Sequence, residues 1–277
     1  MQYTEVYIKL KYISPFADIV IAMLNEIGFE SYHEETDGVK AYIQTSYLNW
    51  NILDDVLDEI SELTELSVNI NEVKQENWNA EWERNYRPVI INDQCVIRAP
   101  FHDAFPDMGM DIIIMPKMSF GTGHHATTEL MINEMLLLDF TEASVLDMGS
   151  GTGVLSILAS KLGAEHLVGI DIDNWAFENA KDNAVLNNIV NVKFIHGDVK
   201  HIYQGRYDFI LANINRNIIL SDLDIYVGAM NDAANIIMSG FLEDDIPLIL
   251  DKTKQLGLEI VASKNKEKWQ MIRLRKG

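Results

Sequence analysis

The sequence has very little positive charge for its size. Only 22 of its 277 residues are lysine or arginine, against 42 aspartates and glutamates, which gives a formal net charge of −20. Proteins that neutralise the phosphates of a duplex carry basic patches, so direct DNA binding is not expected. A basic partner is the better match, because complementary charge attracts it.

The sequence also has a single cysteine, Cys95, and no long apolar run. One cysteine cannot form a disulfide within the chain, which favours a reducing cytoplasm. No segment approaches the roughly 18 apolar residues that span a bilayer, and the first residues lack the pattern of a secretory signal. Glycine and proline number only 16 and 6 and hydrophobic residues make up 48%, which excludes disordered and collagen-like classes. We therefore expect a cytoplasmic, globular protein without a membrane segment.

The first 75 residues are more acidic than the rest, with 14 acidic and 4 basic residues. Their hydrophobic pattern predicts, in order, a strand over 3–11, a helix over 15–27, a hairpin over 29–45, a helix over 49–63 and a strand over 66–73. This order, βαββαβ, is that of a ferredoxin-like domain, which we place at residues 1–74. Two interpretations stay open, a substrate-recognition domain and a packing appendage, because a fold alone fixes no function.

Local signals add detail to this domain. Ser14 is expected to cap the first helix, with Pro15 in its first turn. Asp37-Gly38 is expected to occupy the centre of a tight hairpin turn, where both residues take positive φ. The second helix is expected to bury one face, formed by Ile52, Val56, Ile60 and Leu63.

A linker helix is predicted over residues 75–90. Trp78, Trp82 and Tyr86 recur at i, i+4 and i+8 on one face, and Pro88 ends the pattern. That face either docks on one domain while the other pivots or packs as an ordinary amphipathic surface.

Residues 91–277 are predicted to form an α/β domain, because short apolar strands alternate with helical segments from about Val145 onward. Strands are predicted at 144–148, 166–171, 191–196, 207–212, 234–239, 258–263 and 268–274. The gap from Lys264 to Glu267 is too short for a parallel crossover, so the last two strands must be antiparallel. The fold class is a mostly parallel seven-stranded sheet with an antiparallel end.

Residues 144–155 read as a strand, a glycine-rich turn and a helix, and they form the strongest candidate for a ligand site. Gly149, Gly151 and Gly153 stand where backbone approaches a ligand and a side chain would intrude. The start of the helix adds free N–H groups and a positive dipole end. The G-x-G-x-G spacing after Asp147 differs from the G-x-G-x-x-G that holds a pyrophosphate, which disfavours a dinucleotide-dependent dehydrogenase.

Three polar residues end later strands or follow them, at the edge where such sheets bind ligands. Asp171 is expected to accept hydrogen bonds from both hydroxyls of an adenosyl ribose; its alternative role, capping the next helix, is one for which Asp173 competes. Asp198 either accepts the amino group of adenine or is a surface acid in a turn. Asn213 either orients an incoming amine toward a methyl group through its carbonyl oxygen or is a turn residue.

A second glycine-rich loop, F-G-T-G-H-H-A-T-T at residues 120–128, opens a helix. Thr127 or Thr128 is expected to cap that helix and to reach the ligand. The adjacent His124 and His125 point apart, as neighbours in sequence do, and no third ligand of matching spacing accompanies them. We predict no metal site.

These motifs resemble, over nearly the whole chain, those of the methyltransferases that modify large-subunit ribosomal protein eleven. The βαββαβ module, the Trp-bearing helix, F-G-T-G-x-H-x-T-T, D-x-G-x-G-T-G at 147–153, G-I-D-I-D at 169–173 and A-N-I at 212–214 occur in the family's order. The F-G-T-G-x-H-x-T-T loop is the most specific of these motifs, because class I methyltransferases in general do not carry it. Asn215 departs from the family pattern, which generally has leucine there.

The resemblance implies a class I, Rossmann-like methyltransferase that takes methyl groups from S-adenosyl-L-methionine. The implied substrate is a basic ribosomal protein, methylated on lysine side chains, with its N-terminal amine as a further candidate, and the acidic module would recognise it. By similarity, Thr128, Gly149, Asp171 and Asn213 match the family's cofactor positions. Asn213 is also the candidate catalytic residue, and the complete cofactor set that we assign adds Phe120, Gly121, Thr122, Gly151, Gly153 and Asp198.

Two other functions stay open at this point. A class I methyltransferase could instead modify an amine of another protein, an RNA or a small molecule. A non-catalytic binding module is the third hypothesis, and the intact glycines and Asp171 argue against it.

Overall fold

The computed structural model describes residues 2–73, 83–117, 119–202 and 206–277. The chain separates into two compact units, Met1–Asn85 and Tyr86–Gly277. Half of the predicted linker helix, Trp78 and Trp82 included, lies outside the described residues. In the other half residues 83–85 are helical, residues 86–88 are not and Val89 begins a strand, so the helix does not extend to residue 90 as predicted. The domain boundaries at 74 and 90 stay predictions. Within the described ranges, no helix has the length and apolar character needed to cross a bilayer.

The N-terminal unit is built from β1 (Tyr3–Leu10), α1 (Phe16–Glu26), β2 (Ser31–Glu35), β3 (Gly38–Gln44), α2 (Trp50–Leu63) and β4 (Leu66–Val73). Its sheet has the order β2-β3-β1-β4, and every neighbouring pair is antiparallel. Val6 and Ile8 of β1 alternate with half-buried neighbours and pack in one apolar cluster with Val20 and Leu24 of α1. The element order is the one that the pattern predicts, and the ferredoxin-like class of the unit stays a prediction.

Two local predictions for this unit are wrong. Helix α1 begins at Phe16 with Pro15 at the capping position and no side-chain cap, because Ala17 N donates to Ile13 O instead of to Ser14. In the hairpin, Glu35 pairs with Gly38, so the turn residues are 36 and 37 rather than Asp37-Gly38. Glycine is needed at the start of β3 for close packing, since a Cβ there would lie 2.1 Å from Ile8 O.

The predicted buried face of α2 is correct at Ile60 and wrong at Ile52 and Leu63. Leu53 and Ile60 are the fully buried residues of this helix, whereas Ile52 and Leu63 are 45% and 53% exposed. Residues 53 and 60 are seven apart, close to two helical turns, so the buried stripe runs through them and Ile52 lies about 100° away.

The C-terminal unit contains β8 (Ser144–Met148), β9 (His166–Asp171), β10 (Val192–His196), β11 (Tyr207–Asn213), β12 (Met230–Leu242), β13 (Leu258–Lys266) and β14 (Trp269–Lys276). These strands form one sheet in the order β10-β9-β8-β11-β12-β14-β13. The pairs from β10 to β12 are parallel, and β14 runs antiparallel to both β12 and β13. The predicted mostly parallel sheet with an antiparallel end is therefore confirmed.

Helices cover both faces of this sheet. They are α3 (Ala126–Met135), α4 (Val154–Lys161), α5 (Asn174–Leu186), α6 (Arg216–Gly228) and α7 (Ile246–Gln255). Val145 and Leu211 pack in one apolar cluster, and their neighbours Leu146 and Ile210 pack in another on the opposite face. Because both faces are buried, these strands read as continuous apolar runs.

A second, three-stranded sheet precedes the large one, and sequence analysis missed it. It consists of β5 (Val89–Ile91), β6 (Cys95–Arg98) and β7 (Met110–Ile113). Strands of three or four residues are too short to show alternation. The sheet matters for the site, because β7 leads into the segment that carries the second glycine-rich loop.

Candidate active site

A cleft of about 450 Å³ is lined by residues at the carboxyl ends of β8, β9 and β11. Its volume is within the range of small-molecule sites. The predicted site residues that line it are Phe120, Gly149, Gly151, Asp171, Asp198 and Asn213. Those that do not line it are Gly121, Thr122, Thr128 and Gly153.

The charged side chains that line the cleft are all acidic. Asp171, Asp173, Asp198 and Asp222 line it, and none of the lining residues, all taken from the described part of the chain, is lysine, arginine or histidine. A pyrophosphate would find no cationic side chain among these described lining residues. A positively charged ligand would be attracted by four carboxylates, and the attraction is strengthened by partial exclusion of water.

The glycine-rich turn after β8 needs glycine because of contacts within the protein. Gly149, Gly151 and Gly153 all have positive φ, at 70°, 55° and 79°. A Cβ on Gly149 would lie 2.2 Å from the Ile214 side chain, and one on Gly151 would lie 2.3 Å from Phe120 O. Gly149 and Gly151 also present backbone to the cleft. Gly153 instead precedes α4, the helix that follows the turn.

Asp171 joins the end of β9 to the glycine-rich turn. Its Oδ2 accepts a hydrogen bond from Gly151 N at 2.8 Å, and its Oδ1 accepts one from Asp173 N at 2.9 Å. Helix α5 is capped by Asp173, whose Oδ1 accepts from Trp175 N at 2.7 Å. Asp171 is therefore not the cap, and its carboxylate at the cleft keeps lone pairs for a ligand.

Asp198 is the acid of a turn, which is one of the two roles expected for it. It caps a short 3₁₀ turn, where its Oδ1 accepts from Lys200 N at 3.0 Å and contacts His201 Nδ1 at 3.1 Å. It also lines the cleft. Its contact with an adenine amino group stays a prediction.

Asn213 ends β11 and contacts Thr128 of α3. Its Nδ2 donates to Thr128 Oγ1 at 3.4 Å, and Thr128 is fully buried. The other end of the amide, Oδ1, is buried and has no hydrogen-bond partner within the described residues. An unpartnered buried carbonyl is costly, so a ligand that donates an N–H at this place would gain a hydrogen bond without displacing one.

The loop at 120–125 contributes unequally to the site. Phe120 is 54% exposed and lines the cleft, whereas Thr122 contacts His124 Nδ1 through its hydroxyl at 3.3 Å. His125 caps α3 by accepting from Thr127 N at 3.3 Å. The expected cap at Thr127 or Thr128 is therefore wrong, because the helix begins earlier, at Ala126. In the described ranges, no three His, Cys, Asp or Glu side chains cluster as metal ligands.

Asp147 lies buried behind the turn. Its Oδ2 accepts from Ser156 N at 3.1 Å and from Ser156 Oγ at 2.6 Å. Burial raises the pKa of this carboxyl to about 6, and the two hydrogen bonds lower it only in part. Its role is to hold the turn against α4 rather than to touch the cleft.

One side of the cleft is provided by α6, a contribution that the sequence pattern did not predict. Ile218, Asp222 and Tyr226 of this helix line the cleft at spacings of four residues. Such spacing marks one face of any helix, so nothing in the sequence distinguished these residues from ordinary core. Asn215 caps the same helix by accepting from Ile218 N at 3.2 Å, which gives this departure from the family pattern a structural role.

The family model of ribosomal protein L11 methyltransferase, PrmA, matches residues 18–277. The chain belongs to this family. The ribosomal protein L11 methyltransferase of Phocaeicola vulgatus is 43% identical over 260 residues, covering 92% of each chain. That of Porphyromonas gingivalis is 40% identical over 266 residues, covering 92% of this chain and 89% of its own.

A solved structure agrees with the family. The ribosomal protein L11 methylase of Lactobacillus delbrueckii subsp. bulgaricus superposes with a TM-score of 0.62 at 25% identity, covering 69% of this chain and 99% of that one. The α/β unit thus has the class I methyltransferase fold, and the chain is a methyltransferase that uses S-adenosylmethionine.

The cleft fits this cofactor. S-adenosylmethionine carries a sulfonium and an ammonium group, and the charged lining residues are four carboxylates. Gly149 and Gly151 leave the backbone open to it, and Asp171 stands at the strand end suited to a ribose.

Proposed function

We propose that the chain methylates lysine side chains of ribosomal protein L11, with S-adenosylmethionine as methyl donor, in the cytoplasm. The observation that carries the proposal is the charge of the cleft, where Asp171, Asp173, Asp198 and Asp222 are accompanied by no cationic residue among the described lining residues. Both the donor and a lysine side chain are cations in water, and this cleft attracts cations.

The cofactor-binding residues are proposed from their positions around the cleft. The turn at Gly149 and Gly151 and the carboxylate of Asp171 would hold the donor, with Asp198 at its adenine end and Phe120 beside it. The sulfonium of the donor makes its methyl group electrophilic, so the protein mainly supplies position and a dry environment.

Asn213 would orient the incoming amine. The attacking nitrogen must be neutral, and a free lysine has a pKa of about 10.4, which desolvation in the cleft lowers. Asn213 Oδ1, which has no partner in the described chain, would accept an N–H of that neutral amine and direct its lone pair. Thr128 would hold the amide in this orientation by accepting from Nδ2.

The N-terminal unit is proposed as the part that binds the protein substrate. Helix α2 exposes five carboxylates, and no ion pair within the described residues occupies them: Asp54, Asp55, Asp58, Glu59 and Glu62. A lysine-rich ribosomal protein would be attracted to such a surface. Raising the ionic strength should therefore raise the KM for L11 more than the KM for S-adenosylmethionine.

Mass spectrometry of purified L11, before and after incubation with the chain and S-adenosylmethionine, tests the substrate and the modified atom together. We expect added methyl groups on lysine-containing peptides, and no addition to L11 whose amines were acetylated beforehand. A parallel reaction with labelled donor and total ribosomal components identifies any other acceptor. Label in RNA or in a different protein, with L11 unmodified, would refute the proposed substrate.

A further inference from the structure

Thr152 has its three polar groups engaged, and two of them hold the loop that lines the cleft. Its N–H donates to Phe120 O at 2.9 Å, and its Oγ1 donates to Gly121 O at 2.6 Å. Its carbonyl oxygen accepts from Asn183 Nδ2 at 2.9 Å. Thr152 is fully buried and does not line the cleft itself.

Asn183, on α5, ties this turn to the segment that leads into the loop. Its Oδ1 accepts from Met115 N at 2.9 Å. One helical turn later, Asn187 accepts from Ile113 N at 2.9 Å and donates to Ile113 O at 2.6 Å. Two residues of an extended chain and four residues of a helix both span about 6 to 7 Å. The side chains of Asn183 and Asn187 can therefore both bond to the backbone of residues 113–115.

The loop at residues 120–125 and the glycine-rich turn at residues 149–153 are in direct contact, with no room for a further side chain between them. A Cβ on Gly151 would lie 2.3 Å from Phe120 O, and a Cβ on Gly121 would lie 2.7 Å from Thr152 Oγ1. The position of Phe120, which lines the cleft, therefore depends on the hydrogen bonds that Thr152 makes to its peptide and to the next one.

We propose that Thr152, held by Asn183, is a positioning residue for the methyl donor, because it fixes the Phe120–Gly121 peptides that border the donor's cleft. The inference rests on the proposed function, since it takes the cleft to be the place of S-adenosylmethionine. The hydroxyl does not touch the donor. Its loss should loosen the loop, weaken donor binding and raise the KM for the donor while leaving the KM for the protein substrate unchanged.

The test compares three variants of the full chain by calorimetric titration with S-adenosylmethionine and S-adenosylhomocysteine. Thr152→Val removes the hydroxyl at nearly constant volume, and one hydrogen bond of typical strength predicts a Kd for the donor raised about five- to tenfold. Thr152→Ser keeps the hydroxyl and should stay within about twofold of the wild type.

Thr253→Val is the matched control. Thr253 is equally buried and donates from Oγ1 to Leu250 O at 3.1 Å, but it lies on α7 and does not line the cleft. It should lower the thermal midpoint about as much as Thr152→Val while leaving the donor Kd unchanged. Equal weakening of donor binding by both valine variants would overturn the inference, as would an unchanged Kd in Thr152→Val or a serine variant as weak as valine.

Titration of the wild type distinguishes a failure of the positioning role from a failure of the proposed function. Donor binding by the wild type with an unaffected Thr152→Val variant overturns the positioning role alone. A wild-type chain that binds neither compound overturns the proposed function and this inference together.

Discussion

Asn213 donates a hydrogen bond from Nδ2 to Thr128 Oγ1 across 3.4 Å, and this contact decides which end of the amide stays free. The two residues lie on β11 and α3, 85 positions apart. Because Thr128 takes the donor end, the carbonyl oxygen is the end left without a partner in the described structure. The pair thus leaves an acceptor, and not a donor, unpaired at the end of β11.

Replacing Asn213 with alanine should lower kcat for methyl transfer about a hundredfold, because an amine that is not oriented seldom reaches attack geometry. The Kd for S-adenosylmethionine should change by much less. Asn215→Ala is the matched control, since that amide caps α6 and its loss should cost about 1 kcal/mol of stability without lowering kcat. Steady-state kinetics and titration measure both, and full activity of Asn213→Ala would remove the residue from the mechanism.

Asp171 and Asp173 are two residues apart and have different expected effects on binding. Asp171→Asn should weaken donor binding about thirtyfold, because hydrogen bonds to a charged group are worth about 2 kcal/mol. Asp173→Asn should weaken the cap of α5, with a stability loss of about 1 kcal/mol or less, and should raise the Kd far less than Asp171→Asn because only its charge at the cleft is lost. Calorimetric titration measures both affinities. Weaker binding in the Asp173 variant than in the Asp171 variant would reverse the assignment of the ribose ligand.

Gly151→Ala should both destabilise the fold and abolish donor binding. Positive φ alone costs an alanine about 1 kcal/mol, and at Gly151 the added methyl also meets the backbone oxygen of Phe120 at 2.3 Å. Gly257→Ala isolates the first cost, because Gly257 has φ +73° and nothing within 4 Å of the added atom. Urea unfolding should show a loss above about 2 kcal/mol for Gly151→Ala and about 1 kcal/mol for Gly257→Ala. Equal losses of stability in the two variants would contradict a clash between the added methyl group and Phe120 O.

Asp147 should make the fold less stable as pH rises from about 4 to about 7. Burial raises the pKa of its carboxyl to about 6, above the value of about 3.9 in an unfolded chain. Between these values the folded state holds a proton that the unfolded state has lost, so a rise in pH lowers the free energy of unfolding. Asp147→Asn cannot ionise. Its free energy of unfolding relative to the wild type should rise by about 3 kcal/mol over this range, as measured by urea titration at several pH values.

Asp139→Asn provides a control of opposite sign. Hydrogen bonds from Thr141 lower the pKa of the exposed Asp139 carboxyl, so the wild type gains stability from it as pH rises. The stability of this variant relative to the wild type should fall slightly as pH rises to about 4 and then stay level up to pH 7, because both states are ionised there. If the free energy of unfolding of Asp147→Asn relative to the wild type does not change with pH, the buried carboxyl does not titrate between about pH 4 and 7.

Much of the fold could be predicted from local pattern. The strands at Ser144–Met148 and His166–Asp171 have the predicted bounds, because both are short apolar runs between clear turn signals. The strands of residues 89–113 carry too few residues to show a period. Of the predicted buried face of α2, Ile60 is buried as predicted, whereas packing against the sheet selected Leu53 in place of its neighbour Ile52.

Local sequence pattern was enough to predict the order of elements in residues 3–73 and 144–276, the parallel sheet with its antiparallel end, and the polar residues that end or follow its strands. These features depend on neighbouring residues, whose periodicity and turn preferences are local. Tertiary structure alone decided that four carboxylates meet in one cleft, that Asn213 is oriented by Thr128, and that Thr152 joins the turn to the loop. Such contacts link residues 31 to 85 positions apart, and no local preference specifies them.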